Sequence, residues 1–118
     1  MQIEEIGKFA RMGKYRFITI PAEVRERWKS ALGDVSTVCV DYNEQSDELI
    51  IVPVQVAVTS NSYFRKVMKR YMKKSNGYVW MITVPRDVAV RWENAGVTFL
   101  QKIYDENQLK LVVKPMKF

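Results

Sequence analysis

Histidine is absent from this 118-residue chain and cysteine occurs once, as Cys39. Without His the commonest general base and metal ligand is missing, and a lone thiol can neither close an internal disulfide nor found a zinc site. The flanks Val38-Cys39-Val40 predict a buried strand position rather than a reactive thiol. Glycine (five) and proline (four) are too few, and apolar residues at 47% too many, for a disordered or low-complexity chain. Long hydrophobic runs are also lacking: Leu49-Ile50-Ile51-Val52 and Leu111-Val112-Val113 fall far short of the ~20 residues that span a bilayer. Met1-Gln2-Ile3-Glu4-Glu5 carries acids where a secretory leader carries basic residues. These absences predict a cytoplasmic protein with no membrane partner. No Gly-rich phosphate loop, metal cluster or nucleophile motif occurs, and Asp41, Glu44, Asp47 and Glu48 read as a polar turn. The chain is therefore expected not to be an enzyme and to need no cofactor.

Charge is abundant but unevenly placed. Residues 1–58 hold seven Lys/Arg against nine Asp/Glu, whereas residues 59–118 hold twelve against four, giving +6 overall. Tyr63 to Lys74 contains Arg65, Lys66, Lys69, Arg70, Lys73 and Lys74 without an acid, and a smaller acid-free cluster comprises Lys8, Arg11, Lys14 and Arg16. One such cluster reads equally well as a solvated face that favours solubility. Two clusters in equivalent places point to a polyanion, whose phosphates reward many loosely placed cations through counterion release.

The equivalence comes from an internal repeat. Sliding the chain by 64 residues lays Gly13 to Trp28 on Gly77 to Trp92 with seven of sixteen positions identical. At an offset of 62, Tyr42-Asn43-Glu44 falls on Tyr104-Asp105-Glu106 and Leu49-Ile50-Ile51-Val52-Pro53 on Leu111-Val112-Val113-Lys114-Pro115. A chain of 13.8 kDa then divides into residues 1–54, a linker over 55–62, and residues 63–118.

Each copy reads alike. Phe17-Ile18-Thr19-Ile20 and Met81-Ile82-Thr83-Val84 are β-branched runs, each closed by a Pro that cannot donate to a central ladder. With that Pro in the first helical position and an acid two residues later, short helices are predicted from Pro21 to about Lys29 and from Pro85 to about Glu93. Val24 with Trp28, and Val88 with Trp92, share one inward face. A hairpin follows in each: Val35 to Tyr42 and Leu49 to Val54, then Phe99 to Tyr104 and Leu109 to Lys114. Tyr63 to Lys74 fits either an amphipathic helix or a strand, and its counterpart Ile6 to Lys14, poor in helical periodicity, favours strand. The prediction is a mainly β fold with short helices.

The run Ile20-Pro21-Ala22-Glu23-Val24-Arg25 with the later Gly33-Asp34, set between a basic strand and an apolar hairpin, resembles the AbrB/MazE/SpoVT swapped-hairpin family of regulators and antitoxins. The resemblance covers residues 6–54 and 64–115. It implies intertwined swapped-hairpin β-barrel units, here fused in one chain as a tandem pseudo-dimer, which bind double-stranded DNA through basic residues of the first strands, the following loop and the helix start. By position these are Lys8, Arg11, Lys14, Arg16 and Arg25 in the first copy, and Lys69, Arg70, Lys73, Lys74 and Arg86 in the second, beside the Arg65 and Lys66 of the same basic run. The second copy departs from the pattern, with Ala89 in place of Arg25 and Gly96-Val97 in place of Gly33-Asp34.

A basic β-ribbon can lie along a groove with its cations on phosphates and one or two side chains at base edges. Arg25 suits a bidentate guanine contact or a bridge to Glu23 or Glu26, and Arg27 and Arg91 suit packing or a carboxylate partner. The first copy is expected to supply more of the base discrimination and the second more of the general attraction. The expected function is a nucleoid-associated, double-stranded DNA-binding transcriptional regulator, with self-association of whole chains through exposed hairpin edges compatible with the pattern. An antitoxin is the alternative, but the chain runs from its last strand into Lys117-Phe118 with no acidic tail to wrap a toxin. A non-specific nucleoid or RNA-binding protein is the other alternative.

Overall fold

The computed structural model describes residues 2–56, 63–74 and 76–116. The first half contains β1 (Gln2–Lys8), β2 (Ala10–Met12), β3 (Tyr15–Ile20), α1 (Ala22–Leu32), β4 (Thr37–Asn43) and β5 (Glu48–Pro53), then a 3-10 turn, Val54–Val56. The second repeats the order as β6 (Tyr63–Lys66), β7 (Met68–Met72), β8 (Gly77–Thr83), α2 (Arg86–Asn94), β9 (Phe99–Asp105) and β10 (Lys110–Pro115). Among the described residues the fold is mainly β with two short helices. Of the expected linker, residues 57–62 lie outside the described residues.

Two antiparallel sheets enclose the core, and both join the halves. One is ordered β1-β9-β10-β5-β4-β6 and the other β2-β3-β8-β7. Each half's first strand completes the other half's hairpin: Gln2–Lys8 runs along Phe99–Asp105, and Tyr63–Lys66 along Thr37–Val40. Equivalent residues face each other where the halves meet, with Ile18 opposite Ile82 and Ile50 opposite Val112. The two β-branched runs following the glycines are therefore the centre of a sheet, where Val and Ile pack best. Ile18, Ile20, Ile82 and Val84 point into one core with Leu49, Ile51, Leu100, Leu111 and Val113.

The basic segment is strand over 63–72, broken at Val67, whose N–H donates to Ser36 O at 2.9 Å, and turn at Lys73 and Lys74. Phe9 N–H makes the equivalent bond to Thr98 O at 2.9 Å. Several boundaries differ from the sequence expectation, among them that α1 runs on to Leu32 and β4 starts only at Thr37. Pro21 and Pro85 are N-caps rather than first helical residues: each keeps an extended ψ (139° and 138°) that continues the strand, and its carbonyl accepts the first helical bond, from Arg25 and Ala89. Leu109 belongs to the turn, at φ 54°, and not to the last strand. The first strand begins at Gln2, four residues earlier than the apolar pattern of Ile6 to Lys14 suggested, because pairing with β9 extends it and sets Ile3 against the core.

The helices lock the halves together. Trp28 on α1 is buried against Tyr104 of the second half, and its Nε1 donates to Leu109 O at 3.1 Å. Trp92 on α2 packs edge-on to Phe9 of the first half and donates to Asp47 Oδ1 at 2.8 Å. Asp47 and Leu109 are equivalent positions with the same left-handed φ (56° and 54°), so one turn geometry receives both indoles, once by a carboxylate and once by a carbonyl. Asp47 also accepts from the Tyr42 hydroxyl, and burial with this bond raises the Tyr42 pKa to about 12. Cys39 is buried in β4, where burial and then nearby Asp41 push its thiol pKa up and keep it protonated.

Lys102 breaks the apolar pattern of the core. It stands where the first half has Val40, is 3% exposed, and donates its Nζ to Thr19 O at 2.7 Å. Gly7 makes the room: a Cβ there would lie 2.9 Å from Nζ. Burial lowers the ammonium pKa below 10.5, opposed by Glu5 directly across the strand pair. Between that lowered pKa and 10.5 the unfolded chain holds a proton that the folded chain has released, so stability rises with pH across this window.

Two outcomes are expected. Urea unfolding followed from neutral to alkaline pH should show that rise in the native protein and a flatter profile in Lys102→Met; identical profiles would show that the ammonium is not desolvated. A protease site placed between Val56 and Tyr63, once cut, should leave two fragments that co-elute and unfold together, because each holds a strand the other's sheet needs. Fragments that separate without denaturant would contradict the interlocked pairing.

Candidate nucleic-acid interface

The sheet β2-β3-β8-β7 carries a basic hairpin at each end. In the first, Lys14 lies in the turn beside Gly13, which takes φ 61°. Arg11 Nε braces this turn through Gly13 O at 2.8 Å, and the Lys14 ammonium sits 5.4 Å from the Tyr15 ring centroid. The second hairpin is longer, five cross-strand pairs against three. Exposed Lys73 and Lys74 lie in its turn, and Tyr71 and Tyr78 meet edge-on, ring centroids 5.4 Å apart, behind it. Because β3 and β8 are antiparallel, with Phe17 opposite Thr83 and Ile20 opposite Trp80, the tips lie at opposite ends of the sheet. That register sets Tyr15 level with Pro85, so the span from Tyr15 to Gly77 is about eight residues, or roughly 27 Å.

The other expected contacts distribute around this frame. Lys8 and Lys66 are exposed at the ends of β1 and β6. Arg70 lies against the sulfur of Met12, spanning the edge strands β7 and β2. Arg65 and Arg86 line one shallow cleft with Tyr63, whose ring centroid is 5.4 Å from the Arg65 guanidinium.

Arg16 is placed differently from the rest. Its Nε meets Glu93 Oε1 of α2 at 2.9 Å, its Nη1 donates to Phe9 O at 2.9 Å, and the guanidinium lies 4.4 Å from the Phe9 ring centroid. The cation is thus neutralised inside the molecule and half-buried. Arg27 and Arg91 also find carboxylates, Glu106 at 3.0 Å and Glu44 at 3.2 Å, each in the hairpin turn of the opposite half. These are the carboxylate partners that the sequence left open for the two arginines.

At the equivalent place on the other end stands Trp80, the repeat counterpart of Arg16. Around it lie Arg25 from α1, 5.0 Å from the ring centroid, and Lys69 from the neighbouring strand at 5.2 Å. Arg25 reaches Glu26 only at 3.9 Å and Tyr78 O at 3.5 Å, distances too long for strong bonds. Lys29, the counterpart of Glu93, completes the lining with Glu26 and Tyr78, in an open cleft of about 590 Å³. The structure thus joins Arg25 of the first half and Lys69 of the second in one site.

Lys29, Trp80 and Tyr78 were not among the residues expected from the sequence. All three had a signal there: at the offset of 64, Trp80 stands against Arg16, Lys29 against Glu93 and Tyr78 against Lys14, alongside Arg25 against Ala89 and Glu26 against Val90. Five of the six residues that line this cleft thus differ in charge from their repeat counterparts. Compared with protein-family models, curated proteins and solved structures, the chain matches none.

Proposed function

We propose that the protein is a double-stranded DNA-binding transcriptional regulator, built as two fused AbrB-like units that share their strands as swapped hairpins. The observation that carries this reading is the pair of basic hairpins at opposite ends of one sheet. Their tips, roughly 27 Å apart along the strands before the turn residues and side chains are added, approach the ~34 Å that separates successive turns of B-form DNA on one face. Lys14 at one tip and Lys73 and Lys74 at the other then reach phosphates a helical turn apart, with Arg11, Lys69 and Arg70 on the strands behind them. The net charge of +6, concentrated in the strands and turns of these hairpins, supports attraction to a polyanion. Lys8, Lys66, Arg65 and Arg86 widen the basic margin at the sheet edges, while Arg16 shapes the interface through Glu93 and Phe9 rather than by touching DNA.

Phosphates are common to every sequence, so replacing Lys69, Arg70, Lys73 and Lys74 by Ala should weaken binding to all duplexes alike. Every phosphate left without its cation should make the plot of log affinity against log salt shallower by about 0.9. Fluorescence anisotropy with labelled duplex across a salt series measures this, and an unchanged slope would reduce the cluster to a solvated face. Selection from random duplexes then separates the readings: an enriched motif identifies a regulator, and no enrichment a general nucleoid protein.

A further inference from the structure

The two ends of the sheet hold their cations differently. At one, Arg16 is cancelled by Glu93 at 2.9 Å and Ala89 is buried where the other end has Arg25. At the other, Arg25, Lys29 and Lys69 stand around Trp80, and Glu26 is the one carboxylate among the described residues that line the cleft. We propose that the cleft around Trp80 is a phosphate clamp for the backbone of double-stranded DNA. The inference rests on the duplex-binding reading and adds that, of the two ends that reach phosphates, this one seats the backbone in a cleft.

The reason lies in how each end holds its cations. A carboxylate orients a guanidinium by neutralising it, so the Arg16–Glu93 pair leaves little field for a further anion. An indole face orients a cation through its quadrupole and carries no net charge. Trp80 therefore keeps Arg25 and Lys69 within 5.0 and 5.2 Å of its centroid while their positive charge remains available. Lys29, placed where a carboxylate closes the other end, adds a third cation. Like charges so gathered repel one another, and a phosphodiester entering the cleft relieves that repulsion while displacing only water and loosely held counterions. The cleft opens beside the β7–β8 hairpin, so a backbone seated in it continues toward Lys73 and Lys74. Tyr78, 63% exposed on the rim, offers its ring and hydroxyl to the adjoining sugar or phosphate.

The test compares Arg25→Gln/Lys29→Gln with a control of equal charge on the other sheet, Lys110→Gln/Lys114→Gln. Each is titrated into a labelled duplex of about two helical turns across a salt series. In the clamp variant the log–log slope should be shallower by about 1.8, two phosphates at about 0.9 each, and in the control it should change little. Trp28 and Trp92 are buried, which makes Trp80 the accessible indole; its emission should change on adding duplex, and Trp80→Phe should abolish the change. Salt-dependent binding by the native protein with equal slopes in both double variants, or with no change in emission, would overturn the clamp and leave duplex binding standing. No duplex binding by the native protein would overturn both.

Discussion

An unpaired strand edge is the constraint on which this molecule depends. The hairpins β4–β5 and β9–β10 each present a row of backbone N–H and C=O groups that its own half leaves unpaired. Such groups cost free energy when buried without partners and invite aggregation when exposed. Here β6 covers the first edge and β1 the second, each supplied by the opposite half. Once strands are exchanged in this way, the remaining features follow. Ile18 must meet Ile82 at the centre of the smaller sheet, and α1 and α2 must come to rest over the partner half's turns. There the two indoles and the Arg27–Glu106 and Arg91–Glu44 pairs find their acceptors. The surface pairs are worth little individually, at roughly 0.2–1 kcal/mol, so burial of Trp28 and Trp92 dominates the locking.

Exchange also decides how the charged side chains are surrounded. Because each end combines a helix of one half with a strand of the other, a substitution in one copy alters its surroundings only together with the other copy. Arg25 finds its aromatic platform in the opposite half, in Trp80. Arg16 is satisfied by Glu93, which belongs to the opposite half as well. Fusion into one chain makes the difference possible, since a dimer of identical chains would carry both ends alike.

Much of the fold was legible in the sequence, for identifiable reasons. The repeat established which segments correspond, the β-branched runs before Pro21 and Pro85 marked the central strands, and the spacing of Val24 with Trp28 and Val88 with Trp92 marked the buried helix faces. What escaped were features that depend on pairing between halves. The strand over Gln2 to Glu5 has two adjacent acids and takes its order from β9. Leu109 resembles a strand residue until the turn needs a left-handed position beneath Trp28. Lys102, outwardly an ordinary cation, is buried because Gly7 of the other half leaves space for it. The basic candidates were recognisable by charge, yet charge alone does not distinguish Arg16, neutralised by Glu93, from Arg25, held by an indole. The two copies differ at these very positions, where Arg16 stands against Trp80 and Glu93 against Lys29.

Attached cleavage chemistry offers the most direct measurement. Cys39 is buried, so after Cys39→Ser a single surface cysteine can be introduced either as Lys29→Cys or as its counterpart Glu93→Cys and loaded with an iron chelate that cuts nearby DNA. A backbone seated in the Trp80 cleft predicts stronger and more localised cuts on bound duplex from position 29 than from position 93. Equal cutting from the two positions, or cutting from 93 alone, would contradict a clamp seated at the Trp80 cleft.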